Sequence, residues 1–209
     1  MVECVVMAII AYLIGSINFS VILSKKMAGF DVREKGSGNA GTTNMLRSVG
    51  KKAAAITLVC DVLKGVVAIL IAIFIGKTVQ GSNGALLVQV AGIAVILGHT
   101  FPVFFKFKGG KGVATSLGVL IMSNWQIGLI CLVFALILIA LTQMVSVGSI
   151  AAAILYPVLT LFIPQNYIVP GNYLIYSIIL AIFIVFNHRE NVKRLLNGNE
   201  NKISLKGTK

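Results

Sequence analysis

Residues 98–112 read Gly-His-Thr-Phe-Pro-Val-Phe-Phe-Lys-Phe-Lys-Gly-Gly-Lys-Gly, a stretch able to hold an anion. Lys106, Lys108 and Lys111 bring positive charge, while Gly109, Gly110 and Gly112 let backbone N–H groups come close to a ligand. Consecutive N–H groups beside a lysine form an anion-binding concavity. Phe101, Phe104, Phe105 and Phe107 place it at a membrane–water boundary. It is not a nucleotide-triphosphate loop, because Phe105 stands where the first glycine of G-x-x-x-x-G-K-[ST] belongs and Gly112 where Ser or Thr is required. The same residues also suit a plain basic loop with a flexible tip.

A second candidate segment is Lys35-Gly36-Ser37-Gly38-Asn39-Ala40-Gly41-Thr42-Thr43-Asn44, followed by Arg47. Gly36, Gly38 and Gly41 satisfy G-x-G-x-x-G, and Asp61 follows at dinucleotide-like spacing. No strand precedes these glycines, and Asp61 lies in an apolar run, so that reading is excluded. What remains is close backbone approach, hydrogen-bonding side chains on Ser37, Asn39, Thr43 and Asn44, and a guanidinium on Arg47 that can grip phosphate with two bonds. An ordinary polar turn is the alternative.

The third segment is Phe186-Asn187-His188-Arg189-Glu190-Asn191. His188 and Asn191 share a face if the helix continues, and together can orient a hydroxyl, with His188 as donor or base. Ser146 and Ser149, at helical spacing, can offer hydroxyls to a phosphate or simply pack helices. Asp61 and Lys64, three apart on one helix face, form either a pocket wall or an ion pair locking helices together.

These residues must be held by membrane helices. The 209 residues are 57% apolar and only 11% charged, too few charges to solvate a globular surface. A net charge of +12 suggests nucleic acid until its placement is read: the cations lie between apolar runs, as in membrane proteins. Cys4, Cys60 and Cys131 show no C-x-x-C spacing and imply neither metal nor disulfide. The apolar N-terminus lacks a basic leader and a cleavage site, so it reads as a first span.

Apolar runs cover 5–23, 53–76, 85–101 and 172–187, with a polar turn at 77–84 and a loop at 164–171. Between them, 113–163 carries no charge and is broken only around Ser123-Asn124-Trp125-Gln126 and Thr142-Gln143-Met144-Val145-Ser146. The spacing predicts an all-α polytopic membrane protein with seven transmembrane helices, five as the fallback, forming a single domain over 1–209. Residues 113–123 are then short or tilted. Sixteen of eighteen Lys/Arg fall in 24–52, 102–112 and the tail 188–209, which puts the N-terminus outside and the C-terminus in the cytoplasm.

Ser37–Asn44, Gly98-His99 with Phe107–Gly112, and His188–Asn191 occur in an order and with gaps that resemble the three cytoplasmic motifs of the bacterial acyl-phosphate-dependent glycerol-3-phosphate 1-acyltransferases, the PlsY family. The resemblance runs the full length. It implies a seven-helix enzyme of the bacterial inner (plasma) membrane, with its active site on the cytoplasmic side. The enzyme would move a fatty acyl group from acyl phosphate to the 1-hydroxyl of sn-glycerol 3-phosphate, giving lysophosphatidic acid and inorganic phosphate. Carried over by motif, Ser37, Arg47, Lys111, His188 and Asn191 are the expected catalytic residues. Asn39, Thr43, Asn44, His99, Gly109, Gly110, Gly112, Ser146, Ser149 and Glu190 are the expected substrate contacts.

The chemistry agrees with the residues. Two phosphate-bearing substrates need two anion-binding loops, and an acyl phosphate is already activated, so no metal, cofactor, nucleic acid or obligate protein partner is expected. H-x-x-x-x-D is absent, since Phe104 and Lys193 stand five residues after the two histidines. Arg47 and Lys111 would neutralise phosphate, Ser37 and the glycine amides would stabilise the oxyanion, and His188 with Asn191 would orient the acceptor. A transporter of phosphate-bearing solutes is the competing class, to which Asp61–Lys64 would suit. An enzyme using acyl-CoA, and a scaffold, are weaker alternatives.

Overall fold

The computed structural model describes residues 1–164 and 170–203, and every regular element among them is helical. The loop expected at 164–171 falls largely outside the described residues. Ten α-helices follow one another: α1 Val2–Gly15, α2 Phe19–Ala28, α3 Thr42–Ser48, α4 Lys51–Thr78, α5 Gly84–Thr100, α6 Val113–Ser123, α7 Trp125–Thr142, α8 Val145–Phe162, α9 Leu174–Asn187 and α10 Arg189–Leu196. Among the described residues, five runs are long and apolar enough to cross a bilayer, and a sixth if α9 and α10, bent by 61°, count as one. The breaks in the uncharged stretch fall where the sequence is weakest, at Asn124 and at Gln143-Met144. At about 1.5 Å per residue, α6 is ~16 Å long, about half the hydrocarbon thickness.

The first apolar run is two helices, not one. The first ends at Gly15 with Ser16 as its cap, and Asn18 caps the second, its side chain accepting from the Val21 N–H. Carbonyls at such a break need partners in an apolar medium. Lys64 supplies them, donating to Gly15 O at 3.1 Å and Ile17 O at 3.2 Å. Asp61 sits 3.0 Å from the same ammonium, and both side chains are buried. Of the two readings of this pair, the structure therefore favours the lock between helices.

The described residues divide into two compact units, 1–124 with 170–171 and 125–164 with 172–203. In the first, α1 packs on α5 and α4 on α6. Glycines permit both approaches: a Cβ on Gly98 would strike the Tyr12 carbonyl, and one on Gly118 would strike that of Val62. In the second, α8 lies against both α7 and α9. Val133, Leu136, Ile137 and Leu141 on α7 stay exposed, as lipid-facing residues do.

Candidate active site

In the first unit, the segment after α2 folds over its own small apolar core of Val21, Val32, Ala40, Met45, Ala53 and Ala54. Asn44 is buried at its centre. Its Nδ2 donates to Val32 O at 2.8 Å and Lys35 O at 3.0 Å, and its Oδ1 accepts from the Ser37 N–H at 2.9 Å. Gly36 is needed here, because its φ is +58° and a Cβ would run into the Asn44 carboxamide. Asn44 thus acts on the loop from within, and the Ser37 backbone hangs from it. Ser37 and Arg47 are exposed, while Asn39 and Thr43 are half-buried.

Arg33 ties this loop to the one bearing Lys111. Its guanidinium donates to Phe105 O at 2.7 Å and Lys108 O at 2.9 Å, and holds both Asp31 oxygens at 2.9 and 2.8 Å. Those bonds keep the Asp31 carboxyl below the usual carboxylate range despite partial burial. Ala40 N–H adds a contact to Gly109 O at 3.4 Å. Nothing in the sequence around Arg33 marks it out; among so many loop cations, only its contacts distinguish it.

The N–H groups of Gly109 and Gly110 donate to Thr100 O at 3.0 Å and His99 O at 3.1 Å, filling terminal carbonyls of α5. This corrects the expectation that these two amides line an anion cradle: they fasten the loop to the helix. Gly110 lies so close to the His99 ring and Ala40 O that no Cβ fits. His99 is buried, with Nδ1 3.5 Å from Asp61 Oδ1, so the α4 pair backs the loop. Lys106 and Phe107 take left-handed φ of 58° and 56° to complete the turn. Lys111 follows, half-buried, and Gly112 at φ +88° leads into α6.

In the second unit, the bend between α9 and α10 falls at His188, so the continuous helix assumed for a shared face of His188 and Asn191 is broken there; both residues are buried. His188 Nδ1 lies 2.8 Å from Ile184 O. A carbonyl only accepts, so Nδ1 carries a proton, and in the neutral ring the lone pair is on Nε2. Asn191 Nδ2 donates to Glu200 Oε1 at 2.7 Å, and Ser146 Oγ donates to the same oxygen at 2.9 Å. Ser149, also buried, returns its hydroxyl to Val145 O at 2.9 Å. Glu190 is exposed and pairs with Lys193 at 3.6 Å. Glu200 went unmarked in the sequence, where it reads as one acid in a basic tail.

A sequence profile described as "Glycerol-3-phosphate acyltransferase" matches residues 5–198. The chain belongs to the glycerol-3-phosphate acyltransferase family. Over 202 residues, covering 97% of this chain and 96% of each relative, it is 48% identical to the glycerol-3-phosphate acyltransferase of Thermoanaerobacter pseudethanolicus and 44% identical to that of Clostridioides difficile. It also resembles crystal structures of PlsY, an integral membrane glycerol 3-phosphate acyltransferase. The glycerol 3-phosphate form matches with a TM-score of 0.84 at 37% identity over 96% of both chains. The lysophosphatidic acid form matches with a TM-score of 0.82 at 35% identity over 96% of this chain and 95% of that one. This family member is accordingly an acyltransferase embedded in a membrane.

Proposed function

We propose that this acyltransferase takes its acyl group from acyl phosphate and delivers it to the 1-hydroxyl of sn-glycerol 3-phosphate. The observation that carries the reading is the tie between the Ser37–Asn44 loop and the Lys111 loop, made by Arg33 and Ala40. Two polar segments, one with Arg47 just beyond it and the other with Lys111, are held as one body, as a pair of phosphate-bearing substrates requires. The related structures with glycerol 3-phosphate and with lysophosphatidic acid support acceptor and product.

Arg47 and Lys111 neutralise phosphate and hold the acceptor near the donor carbonyl, so proximity supplies much of the rate. Ser37 stabilises the oxyanion. The 1-hydroxyl oxygen bonds to the acyl carbon, the acyl–phosphate C–O bond breaks, and phosphate leaves with the electron pair. His188 Nε2 suits receipt of the hydroxyl proton, since Nδ1 is committed to Ile184 O. Of the other expected substrate contacts, Asn39, Thr43 and Gly112 belong to the first unit and Ser149 and Glu190 to the second. The topology that fits has seven spans, α6 being the short one and α9–α10 the bent one. It leaves the N-terminus outside and the basic loops on the cytoplasmic side of a bacterial inner membrane.

The test gives lipid-reconstituted protein glycerol 3-phosphate with palmitoyl phosphate or, in parallel, palmitoyl-CoA. Phosphate released in step with lysophosphatidic acid, from palmitoyl phosphate alone, is the expected result. Product from palmitoyl-CoA alone would replace the donor, and accumulation of glycerol 3-phosphate in vesicles without any donor would replace the enzyme by a transporter.

A further inference from the structure

We propose that Glu200 is a positioning residue for the acceptor, fixing the Asn191 carboxamide and the Ser146 hydroxyl so that both present acceptor atoms to a hydroxyl of glycerol 3-phosphate. The proposal rests on the reading of Asn191 as a residue that orients the acceptor and of Ser146 as a substrate contact, and it replaces the expectation that the Ser146 hydroxyl is given to a phosphate.

The argument is one of hydrogen-bond polarity. An ionised carboxylate accepts and never donates, so the part of Asn191 that faces Glu200 must be its NH2 group. The Nδ2–Oε1 distance of 2.7 Å is that of a charge-assisted bond. Oδ1 therefore turns the other way, and an sp² oxygen is what an acceptor hydroxyl needs to be aimed. Without the carboxylate, the amide can flip and offer N–H instead. Ser146 is polarised in the same sense. Its single proton goes to Glu200 at 2.9 Å, which leaves oxygen lone pairs for a ligand. Such a pair of groups suits an alcohol, which donates, better than a phosphate, which mainly accepts.

The carboxylate is built in. Its side chain is only 4% exposed, and Arg194 Nε donates to Oε2 at 2.9 Å, neutralising the charge from behind. The backbone is fastened on both sides, with Asn199 N–H on Arg194 O at 2.8 Å and Ile203 N–H on Gln143 O at 2.7 Å. Burial acts to raise the Glu200 pKa, but the bonds from Asn191, Ser146 and Arg194 outweigh it and leave the pKa lowered, so the acceptor-only form persists at neutral pH. A loose tail acid filling an empty phosphate site would need none of these fastenings.

The experiment uses the full chain in lipid, with E200A, E200Q, N191A and E200A/N191A. Glycerol 3-phosphate binding is read by calorimetry and turnover by phosphate release. Losing one charge-assisted bond predicts about a ten-fold or greater fall in kcat/KM for glycerol 3-phosphate in E200A, with KM for palmitoyl phosphate unchanged. E200Q keeps an oxygen toward Asn191 and Ser146 and retains more activity than E200A. The double variant binds more weakly than N191A only by the share that Glu200 exerts through Ser146, so the two losses fall short of multiplying. A purely structural glutamate gives losses that multiply, and an occluding one gives tighter binding in E200A; either result, or wild-type kinetics in E200A, overturns the proposal. If E200A does not fold, E200Q and its pairing with N191A are read in the same way. Wild-type protein that binds glycerol 3-phosphate but makes no lipid from palmitoyl phosphate would refute the donor reading, while the binding cycle still judges Glu200.

Discussion

Gly110→Ala should cripple catalysis while leaving a folded protein. A Cβ at Gly110 would lie 2.5 Å from Ala40 O and 2.9 Å from His99 Cε1, and closer still to His99 Nε2. Ordinary contacts begin near 3.4 Å, so the loop must withdraw from Ala40 by about 0.9 Å. Neither neighbour yields easily: one is backbone, and the other is a buried ring against Asp61. The withdrawal breaks the already long 3.4 Å contact from Ala40 to Gly109 and carries Lys111, the next residue, with it. A misplacement of about 1 Å costs roughly 10²-fold in rate, whereas overpacking costs about 1–3 kcal/mol of stability. Phosphate release with varied glycerol 3-phosphate, beside thermal unfolding in detergent, reads both. Gly81→Ala is the control. It too imposes strain, at φ +77°, but has open space around it, and should leave turnover unchanged. Wild-type kcat/KM in G110A would refute the reasoning.

Arg33→Ala removes the two carbonyl bonds and both bonds to Asp31. Amide exchange at 105–110 should accelerate by at least about ten-fold, since each charge-assisted bond contributes ~1.5–3 kcal/mol; unchanged exchange would show that the loop holds without it. Lys64→Met strands Asp61 and the carbonyls of Gly15 and Ile17, and should cost about 3–5 kcal/mol, read as a large fall in unfolding temperature. His188→Ala at saturating substrates should slow turnover by about 10²-fold or more, and a normal rate would remove His188 as base. Glu200 titrates below its ordinary value of 4.5, so the stability it lends the tail is fully present above that value and is lost as pH falls through its lower folded-state pKa. Proteolysis of the tail should therefore stay constant from about pH 8 to pH 5 and rise only in stronger acid; a rise near neutrality would contradict the anchoring.

Much was legible in the chain because membranes simplify the code. Long uncharged runs must be helices, since the hydrocarbon offers no partners for backbone polar groups, and the breaks at Asn124 and Gln143 are where those runs lose hydropathy. The three polar segments were equally visible, because glycine, lysine and histidine between apolar runs have few other uses. Asp61 and Lys64 stood out as charges in a span, although their purpose did not: the carbonyls that Lys64 serves lie 47 and 49 residues away, at a helix break read as continuous.

By itself, then, the sequence determined the helical class, the polar segments and the chemistry their residue types allow, all of which depend on local composition and spacing. Tertiary structure decided how those groups are directed. The Gly109 and Gly110 amides turn to α5 instead of a ligand, Arg33 becomes a clamp among many loop cations, and Glu200 sets the polarity of Asn191 and Ser146. Hydrogen bonds are directional and these partners lie far apart in the chain, so only the folded backbone specifies which donor meets which acceptor.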